Sequence, residues 1–152
     1  MQIETLKDIL NWTREFHQHL ASCMQHCATQ NESERAKLLL DYLSDHEQKL
    51  VEVLDGFRDS ADEKALGTWC YEYLDKHPIV HHEKCDKPFA EMSADEIIIE
   101  ITHQHGQIIE LYRDLRGRDA ALSWQQLVDQ LLSLEEHEAM RMSQAANRLH
   151  DL

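Results

Sequence analysis

Four residues have the types and spacing to do chemistry together: His17, Glu47, His105 and Glu138. His17 sits among Leu6, Leu10, Thr13, Leu20 and Met24, and His105 among Ala94, Ile98, Ile101, Ile108 and Tyr112, with the same steps of three and four in both sets. That spacing puts each histidine on the apolar, core-facing stripe of a helix. Glu47 follows Leu43 by four residues, as Glu138 follows Leu134, and both continue into further apolar positions. A buried carboxylate is costly unless it is paired or bound to a cation, and two such groups repel unless a proton or a cation intervenes. Neutral imidazole and carboxylate together suit Fe, Mn or Zn. His46 and His137 adjoin the two glutamates at the edges of their stripes, so they are candidates to join as ligands or as hydrogen-bonding partners of ligands. The metal-ligating set expected from sequence is therefore His17, His46, Glu47, His105, His137 and Glu138, with room for one ion or two.

Four long helices must position these residues. Thr5, with Asp8 three residues on, caps a first helix over residues 5–29. Asn31 or Ser33 caps a second that runs to residue 57, Asn31 with Glu34 having capping-box spacing. Ser93 with Glu96 opens a third, to residue 116, and Ser123 with Gln126 a fourth, over residues 123–149. Between the second and third, Leu66, Trp69, Tyr73 and Leu74 predict a short accessory helix over residues 63–76, stopping before Pro78; its aromatic residues Trp69, Tyr71 and Tyr73 are expected to pack over the bundle, the alternative being a dimer surface. Counted from the caps, His17, His46, His105 and His137 fall 12, 13, 12 and 14 residues along their helices. At about 1.5 Å per residue they share one level near mid-height. The expected fold is all-α: a four-helix bundle forming a single domain over residues 1–152, each helix burying one stripe. The matching stripes and the repeated triplets Asp45-His46-Glu47 and Glu136-His137-Glu138 read as an internal duplication of a helical hairpin. The connection over residues 58–92 is long enough for either a lengthwise crossover or a local return.

Composition bounds the rest. Four glycines and two prolines in 152 residues favour helices. The formal charge of −14 argues against nucleic acid, which rewards clusters of Lys and Arg, and suits attraction of cations. No apolar run reaches the ~18 residues of a membrane span and no leader pattern is visible, so a soluble, cytoplasmic protein with reduced thiols is expected, with a homodimer as a possible assembly. Cys23 and Cys27 read as packing residues on one helix face.

Two other clusters carry ligand-type residues. Glu100 and His103 have Glu-x-x-His spacing, but the helical count points His103 outward. His77, His81, His82, Glu83 and Cys85 crowd a loop, where solvated side chains are the ordinary outcome.

With its Glu and His residues at mid-height in four amphipathic helices, the chain resembles the iron-binding bundles, either ferritin-like or hemerythrin-like. The ferritin-like pattern implies a Glu on the first and third helices and Glu-x-x-His on the second and fourth. Here His17 and His105 occupy the first kind of position. Glu47 and Glu138 match the carboxylates of the second kind, whereas Leu50 and Arg141 stand where its histidines belong. The hemerythrin-like pattern implies His-x-x-x-Glu, and the same Leu50 and Arg141 follow His46 and His137. The hairpin echo and the long connection favour the ferritin-like topology. The resemblance implies non-haem iron, one ion or two, with Mn or Zn as alternatives, and an oxidoreductase linked to oxygen or peroxide. The competing reading is a metal-free helical interaction or regulatory module whose buried His–Glu layer fixes one packing.

Overall fold

A computed structural model describes residues 4–70, 89–117 and 121–150. Its elements are α1 (Leu6–Ala28), α2 (Glu34–Ser60), α3 (Glu63–Leu66), a 3-10 turn (Phe89–Glu91), α4 (Ala94–Arg116) and α5 (Leu122–His150). Thr5 and Ser93 cap α1 and α4 with reciprocal capping boxes to Asp8 and Glu96. Ser33 caps α2 by accepting from the Ala36 N–H. Asn31 does something else. Its side-chain amide donates to the carbonyls of Phe89 (2.9 Å) and Met92 (3.0 Å), and its oxygen accepts from Ser33 N–H.

Three contacts fix the direction of every long helix. The backbone of 68–70 pairs with that of 4–6, through Leu6 N–H to Thr68 O and Cys70 N–H to Glu4 O, so the chain leaving α2 lies beside the start of α1. Asn31 ties the entry to α4 to the other end, at the α1–α2 turn. Arg35, near the start of α2, donates to the Leu149 carbonyl at the end of α5. Hence α2 and α4 run in the same direction, antiparallel to α1 and α5. The chain crosses the bundle lengthwise between its two hairpins, which resolves the two paths that the 58–92 connection left open.

The hairpins repeat each other closely. α1 and α4 each have 23 residues and begin at Leu6 and Ala94, 88 positions apart; α2 and α5 begin at Glu34 and Leu122, again 88 apart. Buried residues match at that offset: Ile9 with Ile97, Met24 with Tyr112, Leu43 with Leu131, Leu54 with Met142. Burying one such side chain contributes about 1.5–3 kcal/mol, so the repeated stripes dominate the choice of fold.

Several expected boundaries shift. α2 extends past residue 57 to Ser60, and α5 begins at Leu122, placing Ser123 inside the first turn. The accessory helix is a single turn ending at Gly67, after which 68–70 is drawn into backbone pairing with the N-terminal segment. Trp69 is correspondingly 60% exposed. Residues 71–76 and the cluster from His77 to Cys85 lie outside the described residues. Cys23, Cys27 and Cys70 are buried thiols. Among the described residues, no helix is long and apolar enough to cross a membrane.

Candidate metal centre

Each long helix contributes one buried polar residue to a single cluster: His17 from α1, Glu47 from α2, His105 from α4 and Glu135 from α5, none more than 1% exposed. They form a continuous chain of contacts. His17 Nδ1 lies 2.6 Å from Glu47 Oε2, and His17 Nε2 lies 2.9 Å from Glu135 Oε1 and 3.1 Å from Oε2. The other oxygen of Glu47, Oε1, meets His105 Nε2. His17 and His105 face each other edge-on with ring centres 5.4 Å apart. Donor atoms of His17, Glu47 and His105 all lie within 4.8 Å of one another, close enough to converge on one ion. One atom of the cluster is left over: His105 Nδ1 is buried and meets no hydrogen-bonding partner among the described residues.

The electrostatics follow from that packing. Burial opposes a charge on His17, but Glu135 and Glu47 outweigh it and raise the imidazole from 6.5 to about 10. Burial likewise opposes ionisation of Glu47, yet His105 and His17 hold it down at about 2. The two carboxylates thus favour the imidazolium form of His17 in the metal-free chain, which can donate to both through its two nitrogens. Above the cluster, Tyr112 Oη lies 3.0 Å from Thr13 Oγ1, which itself donates to the Leu10 carbonyl. Burial, then the negative charge of Glu135, push the Tyr112 phenol up, with the Thr13 hydrogen bond opposing them.

The sequence-predicted residues divide by position. His17, Glu47 and His105 come together as their spacing requires. Glu138 does not join them: it lies at the α2–α5 seam, 15% exposed, with Oε2 3.6 Å from His46 Nδ1 and Oε1 3.8 Å from Arg141. His46 is 18% exposed and tilts against the Tyr42 ring at 4.4 Å. His137 is exposed, facing outward beside Phe57 and Leu134. The fourth buried residue is Glu135, which the stripe drawn through Leu134 passed over. The buried face of α5 runs through Trp124, Val128, Leu131 and Leu132 to Glu135, then Met142 and Ala146. Leu134 is only partly buried at its edge. Residues 135 and 138 are separated by about 60° around a helix, enough to exchange core for seam. The 88-residue offset that pairs His17 with His105 would have found it, because it pairs Glu47 with Glu135.

No protein-family model matches the sequence, and no curated protein does. Among solved structures, the chain is similar to a Thermotoga maritima protein described as a ferritin-like diiron-carboxylate protein, with a TM-score of 0.64 and 13% identity over 94% of this chain and 95% of the other. Likeness at that identity speaks to the fold alone. The fold is a ferritin-like helical bundle, in agreement with the single lengthwise crossover between its hairpins.

Proposed function

We propose that this protein binds a non-haem transition metal in the bundle core, iron in preference to Mn or Zn, with His17, Glu47 and His105 as ligands and Glu135 as the fourth ligand or the residue that orients His17. The observation that carries this reading is the donor set itself: two carboxylates and two imidazoles, buried, one per long helix, with His105 Nδ1 unpaired among the described residues. Two histidines and one carboxylate are a set that holds Fe(II) with coordination positions to spare. When bound, such an ion supplies Lewis acidity and one-electron chemistry toward oxygen or peroxide, which makes an oxidoreductase the activity to test.

The chain's own residues prepare that site. Glu47 directs one oxygen to each histidine, so it sits between them. Glu135 takes the far nitrogen of His17 and fixes which nitrogen faces Glu47, the role a carboxylate commonly plays behind a ligating histidine. All four side chains are buried, which makes an unbalanced charge among them costly. The pairing of Glu138 with His46 and Arg141 supports a count of one ion per chain over two, since a second ion would have to displace the Arg141 charge.

A second reading has its own support. The ion pairs of His17 with Glu47 and Glu135 balance the charge of His17 without a cation, as a register-fixing network in an interaction module would. Anaerobic titration of the untagged full chain with Fe(II), Mn(II) and Zn(II), followed by elemental analysis, separates the two. The metal reading expects near-stoichiometric uptake, lost in His17→Ala, Glu47→Ala and His105→Ala variants that remain helical by circular dichroism. Refusal of all three metals by the folded wild type would leave the metal-free module.

A further inference from the structure

The 88-residue repeat makes each hairpin a control for the other, and they differ at one seam. Between α4 and α5 lies a cavity of about 30 Å³, walled by Ile101, Met142 and Leu43, with exposed Thr102 and Ser143 at its rim and buried His105 in its lining. A single water needs roughly 10–15 Å³ of such space, so this cavity takes a diatomic molecule or two waters and nothing as large as an organic substrate. At the offset of 88, Thr102, Ala139, Ser143 and Ala146 correspond to Arg14, Val51, Asp55 and Arg58. In the first hairpin these larger residues clasp the seam: Arg14 Nε lies 2.6 Å from Asp55 Oδ1, and Arg58 reaches the same oxygen at 3.3 Å. Threonine, serine and two alanines leave the second seam open.

A second departure from the repeat falls at the same place. His17 Nδ1 bonds Glu47, its partner in the same hairpin. The equivalent bond in the second hairpin would join His105 Nδ1 to Glu135, yet His105 Nδ1 has no partner among the described residues. The relaxed seam and the unpaired nitrogen thus meet at His105, the one member of the buried cluster that lines the cavity.

We infer that the α4–α5 seam is a binding site for one small neutral molecule of diatomic size, of the dioxygen class, seated beside His105. Apolar walls admit such a molecule without loss of hydration, whereas a charged ligand would have to shed its water. In calling it the side from which a reactant meets the centre, the inference rests on the proposed metal reading; the cavity itself does not.

Xenon, a dry probe of similar size, tests it on the metal-free full chain. Methyl NMR under xenon pressure is expected to show saturable shifts at Ala139, Met142 and Ala146. These shifts should be lost in the T102R/A139V/S143D variant, which copies Arg14, Val51 and Asp55 of the first hairpin's clasp. Ser143→Met, a single exposed change that covers the rim, is expected to weaken them if the triple variant folds poorly. Wild type without saturable shifts, or shifts unchanged in both folded variants, would overturn the inference. Fe(II) titration of the same samples keeps the two readings apart: iron uptake without xenon binding sinks the cavity alone, and xenon binding without metal uptake sinks the metal centre alone.

Discussion

His17 and Glu47, both without solvent exposure, meet at 2.6 Å between Nδ1 and Oε2, and Glu135 holds the opposite nitrogen of the same ring at 2.9 Å. Removing one carboxylate from a buried pair leaves an uncompensated charge. Glu135→Ala is therefore expected to cost roughly 3 kcal/mol in the metal-free chain, read as a fall in urea midpoint. Glu138→Ala breaks only partly exposed pairs with His46 and Arg141 and is expected to cost less than about 1 kcal/mol. Equal losses in the two variants would contradict the placement of Glu135 inside the core and Glu138 at the seam.

How much of this was legible in the sequence depended on where two signals agreed. Around His17 and His105 the stripe and the repeat coincide, so both residues, and the bundle they sit in, could be read directly. In α5 the two signals diverge. The triplet Glu136-His137-Glu138 looks like Asp45-His46-Glu47 but lies 91 positions on, three more than the 88 that relates the helices themselves. The local likeness in letters competes with the register and points three residues past the core carboxylate. Asn31 resembles a cap for a related reason: capping-box spacing is local, while its real partners, the carbonyls of Phe89 and Met92, are distant in sequence. Thr68 to Cys70 likewise leave the helical pattern because residues 4–6 offer them backbone partners.

The cluster sets a pH window for the metal-free protein. His17 titrates at about 10 in the fold against 6.5 ordinarily, so its contribution is complete below 6.5 and is lost as pH rises through 10. Glu47 titrates at about 2 against 4.5, so its contribution is complete above 4.5 and is lost as pH falls through 2. Stability is expected to be flat between those two ordinary values and to decline on both sides. Urea midpoints measured across the range check this, and in His17→Gln the alkaline decline should be lost while the acidic one, which His105 also supports, should shrink only in part. A wild-type profile that rises above pH 7 would be inconsistent with a charged His17. Metal uptake at neutral pH should in turn release about one proton from His17, because only the neutral ring can ligate.

Variants outside the cluster sharpen the metal stoichiometry. His137 faces outward and Glu138 is engaged with His46 and Arg141. His137→Ala and Glu138→Gln are expected to retain the wild-type Fe(II) content by elemental analysis, whereas Glu135→Gln should bind more weakly because it no longer anchors His17 as a carboxylate. Loss of half the metal in Glu138→Gln would instead point to a second ion at the α2–α5 seam.

The lengthwise crossover makes a prediction far from the cluster. Asn31 is 4% exposed and uses its amide to hold the carbonyls of Phe89 and Met92 while its oxygen takes the Ser33 N–H. It thereby seats the entry to α4 against the α1–α2 turn, one residue before the Ser93 cap. Asn31→Ala strands those groups, and each buried group left unsatisfied costs about 1–3 kcal/mol. Asn31→Asp keeps the acceptor for Ser33 but puts a carboxylate oxygen against two carbonyls, so it should be no milder than alanine. Hydrogen exchange is the measurement: in both variants protection should fall first at the start of α4, around Ile97 and Ile98, and least in the middle of α1. Unchanged protection at Ile97 would mean that packing of Phe89 alone seats α4, and that the side chain of Asn31 is dispensable for the crossover.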